Sequence, residues 1–159
     1  GLLDTPRRYL RALRELTQGY DEDPDAILSR VFMDTCDEMV VVRAIAFTSL
    51  CEHHLLPFTG HAAVAYLPHG KIVGLSKLAR VVQCFARRLQ VQERMTQQIA
   101  NAIQAALKPL GVGVVVTAMH SCMAVRGVRC PAEMVTSCLL GAFQKGEARA
   151  EFLALARAP

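Results

Sequence analysis

The sequence predicts an α+β fold: an antiparallel four-stranded sheet in β-β-α-α-β-β order with helices on one face, two N-terminal helices and a short C-terminal helix. Three observations predict it. Apolar, β-branched runs come in two pairs, MVVVRAIAF at 39–47 with GHAAVAYL at 60–67, and VGVVVTAM at 112–119 with VTSCLLGAF at 135–143. Between the pairs the apolar spacing changes to threes and fours for two successive segments, the period of amphipathic helices. Helices grouped between hairpin-like strand pairs, rather than alternating with single strands, argue for helices laid over an antiparallel sheet.

Taken in order, Asp4-Thr5-Pro6 reads as a helix start, with Thr5 as N-cap and Pro6 at the first helical position. Leu10, Leu13 and Leu16 follow at helical spacing. A second short helix opens near Asp23-Pro24 and runs to about Val31. The first strand pair follows, its second member closed by the turn Pro68-His69-Gly70. Leu75, Leu78, Ala79, Val82, Phe85, Ala86 and Leu89 mark the first long helix; Met95, Ile99, Ala102, Ile103, Ala106 and Leu107 mark the second. Pro109 and Gly111 are expected to end it. The strands at 112–119 and 135–143 come next, and a helix over 147–157 closes the chain.

A chain of 159 residues fits one domain, 1–159, with a helical N-terminal extension at 1–33, a core at 39–143 and a C-terminal helix at 147–157. The composition, 52% hydrophobic and 20% charged, is that of a globular protein. No apolar run approaches the ~20 residues of a membrane span, and no membrane partner is expected. The net charge of +4 has no like-charge block and no aromatic-interleaved basic stripe, so nucleic-acid binding gets no support; a small anionic ligand would explain a local excess. GLLDTPRR has no signal-peptide architecture, and a core-rich chain does not need its six cysteines as disulfides. A cytoplasmic protein with reduced thiols is expected.

Some thiols are then free for metal. Cys51-Glu52-His53-His54 follows the first strand, and a Cys and a His separated by two residues can turn inward from one loop as half of a zinc site. His120-Ser121-Cys122, at the end of the third strand, offers another ligand. Three protein ligands leave one position for water, the catalytic arrangement, in which zinc brings the pKa of water from 15.7 to about 7. The plain alternative, a small buried hydrophobe, suits Cys36, Cys84, Cys130 and Cys138 but not a thiol inside the polar run CEHH. His53 and His120 flank the expected ligands and titrate near neutrality unless perturbed. Ser76, Lys77 and Arg80 open the first long helix, where two cations one turn apart suit a phosphate; Arg126 could add a third. Taken singly each is equally a solvated surface residue. Glu93, beside Gln92, either favours its helix dipole or pairs with the N–H donors of a guanine.

Together LLDTPRR (2–8), CEHHLLPF (51–58), GLSKLAR (74–80), RRLQVQER (87–94), GVGVVV (111–116), HSCMAVRGV (120–128) and VTS (135–137) resemble GTP cyclohydrolase I along nearly the whole chain. The resemblance implies the tunnelling fold, whose members build barrels from several subunits, and typically a homodecamer of two pentameric rings with sites shared between adjacent chains. It implies conversion of GTP and water to 7,8-dihydroneopterin triphosphate and formate, the first step towards tetrahydrofolate or tetrahydrobiopterin. Cys51, His54 and Cys122 would hold Zn2+, and His53 and His120 would handle protons as the imidazole ring opens. Glu93 with Gln92 would anchor the guanine edge. Ser76, Lys77, Arg80 and Arg126 would hold the triphosphate, and Arg8 would reach a phosphate from a neighbouring subunit. RCPAEM at 129–134 departs from the polar, Ser-containing loop expected there, and 21–38 matches no motif. A catalytically silent relative that binds a pterin or a partner would show a lost ligand or a lost Glu93; none is lost. A pyruvoyl-tetrahydropterin synthase or the nitrile reductase of queuosine synthesis fits the Cys/His/Cys set poorly.

Overall fold

The computed structural model describes residues 1–34 and 36–157. Helix α1 (Thr5–Leu16) starts one residue earlier than expected: Asp4 takes the N-cap place and Thr5 is the first helical residue. A short 3₁₀ turn (Gln18–Asp21) leads to α2 (Pro24–Leu28), where the Asp23 carboxylate caps by accepting from the Asp25 N–H. The expected run of α2 to Val31 is corrected, because Val31–Met33 forms strand β1. A β-branched and an aromatic residue there favour an extended chain.

Strand β2 (Val40–Cys51) extends four residues past the expected end, and β3 (Pro57–Leu67) begins three residues early. They form an antiparallel hairpin from Leu50↔Pro57 to Val40↔Tyr66, with an irregularity between Val42 and Ile45 where Ala44 sits at φ 55. Strand β4 (Lys71–Val73) pairs with β1 in a separate two-stranded sheet. The buried Tyr66 hydroxyl accepts from the Val73 N–H at 3.0 Å and ties that small sheet to β3.

Helix α3 (Leu75–Ala86) is followed by β5 (Leu89–Gln90), which runs parallel to the end of β2. Helix α4 (Gln92–Leu107) is closed by Lys108 in the left-handed region, at φ 49, rather than by Pro109 and Gly111. Gly111 instead opens β6 (Gly111–His120), which pairs with β3 on one side and with β7 (Glu133–Gly141) on the other. The one-turn helix α5 (Ser121–Ala124) lies between them, and α6 (Gly146–Arg157) closes the chain. The main sheet therefore has five strands, in the order β5-β2-β3-β6-β7, where four were expected. Two residues of β5 carry no period that could announce a strand. No helix among the described residues is long and apolar enough to cross a membrane.

Alternation along β6 sorts the core. Val112, Val114, Val116 and Ala118 face α3 and α4, together with Leu78, Val82, Met95, Ile99 and Ile103. Each such aliphatic side chain contributes roughly 1.5–3 kcal/mol on full burial. The intervening positions face a second, smaller cluster of Ala65, Phe143 and Phe152, joined by Val115, Leu139 and Leu153. Helix α6 thus lies on the opposite face from α3 and α4, which corrects the expectation of helices on one face. Gly113 permits it: a Cβ there would stand 2.7 Å from the Phe152 ring.

Candidate active site

Strand direction decides which residues meet. β2 delivers Cys51 at its last position, and the chain turns back into β3 within five residues. The turn is fixed by the Cys51 N–H to the Leu56 carbonyl and by the Leu55 N–H to the Cys51 carbonyl, each 2.9 Å, with Leu55 at φ 54. β5 lies alongside, and the Glu52 N–H donates to the Gln90 carbonyl at 3.0 Å. β6 arrives at the same end of the sheet, placing His120 opposite Phe58 and Cys122 in the turn that follows. α4 starts there too, with Gln92 and Glu93 as its first residues.

The Cys51 and Cys122 thiols and the His54 imidazole converge, their ligating atoms all within 4.8 Å of one another. Cys51 is buried, Cys122 half-buried and His54 exposed. Cys51 Sγ lies 3.9 Å from His54 Nδ1 and 3.7 Å from His53 Nδ1. Ligands about 2.0–2.3 Å from a common centre are themselves roughly 3.5 Å apart, so two thiols and an imidazole at this spacing fit a tetrahedral cation. Burial pushes the Cys122 thiol above its ordinary range, and the neighbouring Cys51 adds to the shift, while Arg126 pulls the other way. Two thiolates brought this close repel, and a cation between them relieves that cost. Beside the cluster, Glu52 pairs with Arg94, whose hydrogen bond holds the carboxylate below its usual range.

His120 is held on two sides. Its ring stacks on Phe58 with centroids 4.5 Å apart and planes 5° from parallel, and its Nε2 lies 2.8 Å from Gln92 Oε1. Burial pushes its pKa below the ordinary histidine value, partly offset by the Glu93 carboxylate. Gln92 is 1% exposed, and its Nε2 reaches the carbonyls of Val116 and Met134 at 3.0 Å and Thr136 Oγ1 at 3.1 Å.

Comparison with known proteins settles which family builds such a site. Residues 1–157 match the family profile described as GTP cyclohydrolase I. The chain belongs to the GTP cyclohydrolase I family. GTP cyclohydrolase 1 of Coxiella burnetii is 55% identical, with 99% of this chain and 87% of that protein covered. That of Chlorobium phaeovibrioides is 58% identical over 99% of this chain and 72% of its own length, and that of Saccharomyces cerevisiae is 52% identical over 98% and 65%. Among solved structures, the archaeosine synthase QueF-Like in its apo form aligns with a TM-score of 0.50 at 18% identity, covering 62% of this chain and 91% of that one; the likeness is one of fold.

Of the residues that the GTP cyclohydrolase I resemblance singled out, Cys51, His53, His54, Gln92, Glu93, His120 and Cys122 share one end of the sheet, and Arg126 is close enough to act on the Cys122 thiol. Ser76, Lys77 and Arg80 lie elsewhere. They occupy the first turns of α3, whose far end leads into β5, so roughly 15 Å of helix at 1.5 Å per residue separates Ser76 from the cluster's end of the sheet. Lys77 and Arg80 line a cavity of about 540 Å³ with Glu22, Asp23 and Arg87. Arg8 is exposed on α1, 3.7 Å from Asp4, in a groove with Arg7, Arg11 and Arg14. Both ends of the buried Gln92 amide have partners within the chain. Sequence reasoning missed Phe58, Thr96 and Thr136. Thr96 did carry a signal: it lies one helical turn after Gln92, on the same face of α4.

Proposed function

We propose that this chain converts GTP and water to 7,8-dihydroneopterin triphosphate and formate, using Zn2+ held by Cys51, His54 and Cys122. The observation that carries the reading is the convergence of two thiols and one imidazole beside a half-buried, oriented His120, in a chain of this family. When bound, the ion supplies Lewis-acid activation of water, whose pKa falls from 15.7 towards 7. The chain's own groups do the rest. His120 and His53 accept and return protons as the imidazole ring of the guanine opens and its C8 leaves as formate. Glu93, exposed at the start of α4, accepts from the guanine N–H groups. Lys77, Arg80, Arg126 and Arg8 neutralise the triphosphate, and the Ser76 hydroxyl donates to it.

We further place each site between chains of a homodecamer. The support is the division of labour within one chain: the metal-capable cluster stands at one end of the sheet, Ser76 and Lys77 head the far end of α3, and Arg8 lies on a helix that buries none of its residues. A neighbour's cations then complete the triphosphate pocket. Six free cysteines support a reducing, cytoplasmic setting. The product would feed tetrahydrofolate or tetrahydrobiopterin synthesis.

The test is incubation with GTP, with and without a chelator, following formate and the pterin chromophore together. Formation of both, abolished by the chelator and restored by zinc, is expected. A zinc-loaded, fully assembled sample that releases neither would remove the assignment and favour a silent relative that binds a pterin.

A further inference from the structure

The turn that carries His54 has little packing to hold it, since residues 52–55 are all exposed. Among the described residues, every hydrogen bond from 52–54 to anything beyond the β2–β3 hairpin runs through Glu52. Its backbone N–H donates to the Gln90 carbonyl at 3.0 Å. Its carboxylate accepts from both terminal nitrogens of Arg94, from Nη1 at 3.5 Å and from Nη2 in a closer contact. Arg94 is itself fastened from behind. Its Nε donates to Gln90 Oε1 at 3.3 Å, and its Nη2 reaches the Leu89 carbonyl at 3.3 Å. Gln90 is 1% exposed, and its Nε2 donates to the Phe85 carbonyl at 3.0 Å and to Gln98 Oε1 at 2.9 Å. A planar guanidinium, with five N–H donors in a fixed fork, can hold three such acceptors at once. One side chain thus ties the end of α3, β5 and the first turn of α4 to a single exposed turn.

We propose that Arg94 is a positioning residue for the metal centre: it grips Glu52, fixes the 52–54 turn, and so keeps His54 where it completes the ligand set with Cys51 and Cys122. The proposal rests on the zinc assignment made above. Global stability is not what the contact supplies. Glu52 and Arg94 are 33% and 43% exposed, and ion pairs in such positions add little to folding. The first turn of α4 also carries Glu93, so the same guanidinium sets the metal-bearing turn against the residue proposed to hold the guanine. Charge alone predicts the opposite sign. A cation beside a divalent ion repels it, so deleting Arg94 would tighten zinc if only the field mattered. Deleting it should loosen zinc if Arg94 acts through the position of the turn.

The test is zinc affinity by chelator competition on the fully assembled, full-length chain, with thermal unfolding of the chelator-stripped protein measured alongside. Arg94→Met keeps the stem and removes the guanidinium. It is expected to weaken zinc binding by about 10–100-fold, the usual loss when a group that orients a metal ligand is removed. The unfolding midpoint of the stripped protein should move by less than about 4 °C. Arg94→Lys, which can still reach Glu52 but lacks the fork, should recover part of the affinity. Glu52→Gln should also loosen zinc, and the double variant should lose less than the two single losses combined, because both break one contact. Zinc bound by Arg94→Met as tightly as by wild type, or more tightly, would overturn the proposal. Strictly additive losses would overturn it too, since the two residues would then act separately. The underlying zinc reading fails by a different result, a Cys122→Ala protein that binds zinc as tightly as wild type, and the proposal would fall with it.

Discussion

At the Cys51 end of the sheet Cys51 and His120 are braced by neighbours in the same chain, whereas at the Ser76 end the phosphate-binding candidates stand on the open first turns of α3. Cys51 is buried and braced by the turn back into β3, and His120 is clamped between Phe58 and Gln92. Lys77 and Arg80 instead border an open cavity that also holds Glu22 and Asp23. The difference teaches which half of the chemistry tolerates freedom. A metal and a proton relay need donor atoms fixed to within a fraction of an ångström, while a flexible triphosphate can be met by long cationic side chains.

The largest effect should come from the braced end. Cys122→Ala removes one of the three proposed ligands, and metal content and formate release are expected to fall together, turnover by more than about 10³-fold as water returns towards its free pKa. The fold should persist, because Cys122 is only half-buried and packs at the edge of the main apolar cluster. A metal-loaded, active Cys122→Ala protein would show that the ligand set lies elsewhere.

Next in size is the open end. Lys77→Ala should raise KM for GTP by about 10–100-fold, the equivalent of one charge-assisted hydrogen bond, with metal content unchanged. Co-assembly sharpens the comparison. Chains carrying Cys122→Ala mixed with chains carrying Lys77→Ala should regain activity, since some sites then draw an intact cluster from one chain and an intact cation from the other. Mixed assemblies no more active than the two separate variants would mean that Lys77 serves the cluster of its own chain.

The same contrast explains what could be read from the residues alone. The four long strands and the two long helices follow from period: alternation in GVGVVV and threes and fours from Leu75 onwards are local signals of burial. β1, β4 and β5 are two or three residues long and exist because a partner strand is there, which no local pattern encodes. The face taken by α6 depended on Gly113 leaving room for Phe152, a contact between residues 39 positions apart. In the site, Cys51, His54 and Cys122 were legible because side chains that could hold a metal are chemically conspicuous. Gln92 was legible only as a polar residue beside Glu93. Its buried amide belongs to a network with Thr96 and Thr136, residues that look like ordinary helix and strand threonines until the strands bring them within 2.7 Å of each other.

The smallest expected effect concerns the loop that departs from the family's pattern. Cys130 is exposed, follows Arg129 at φ 52, and is held by its backbone N–H to the Met123 carbonyl at 3.1 Å. It lies close to α5 in the chain, yet its thiol is outside the Cys51–His54–Cys122 cluster. Cys130→Ser keeps the backbone bond and the size of the side chain while removing a metal-capable sulfur. Stability should stay within about 0.5 kcal/mol and turnover within about twofold, with one metal still bound per chain. Thermal unfolding, zinc content and formate release on the same sample check all three. Loss of zinc from Cys130→Ser would mean that a fourth thiol closes the site, and a closed four-ligand site is the structural rather than the catalytic arrangement. That single result would undo the contrast between a braced, water-admitting metal end and an open phosphate end.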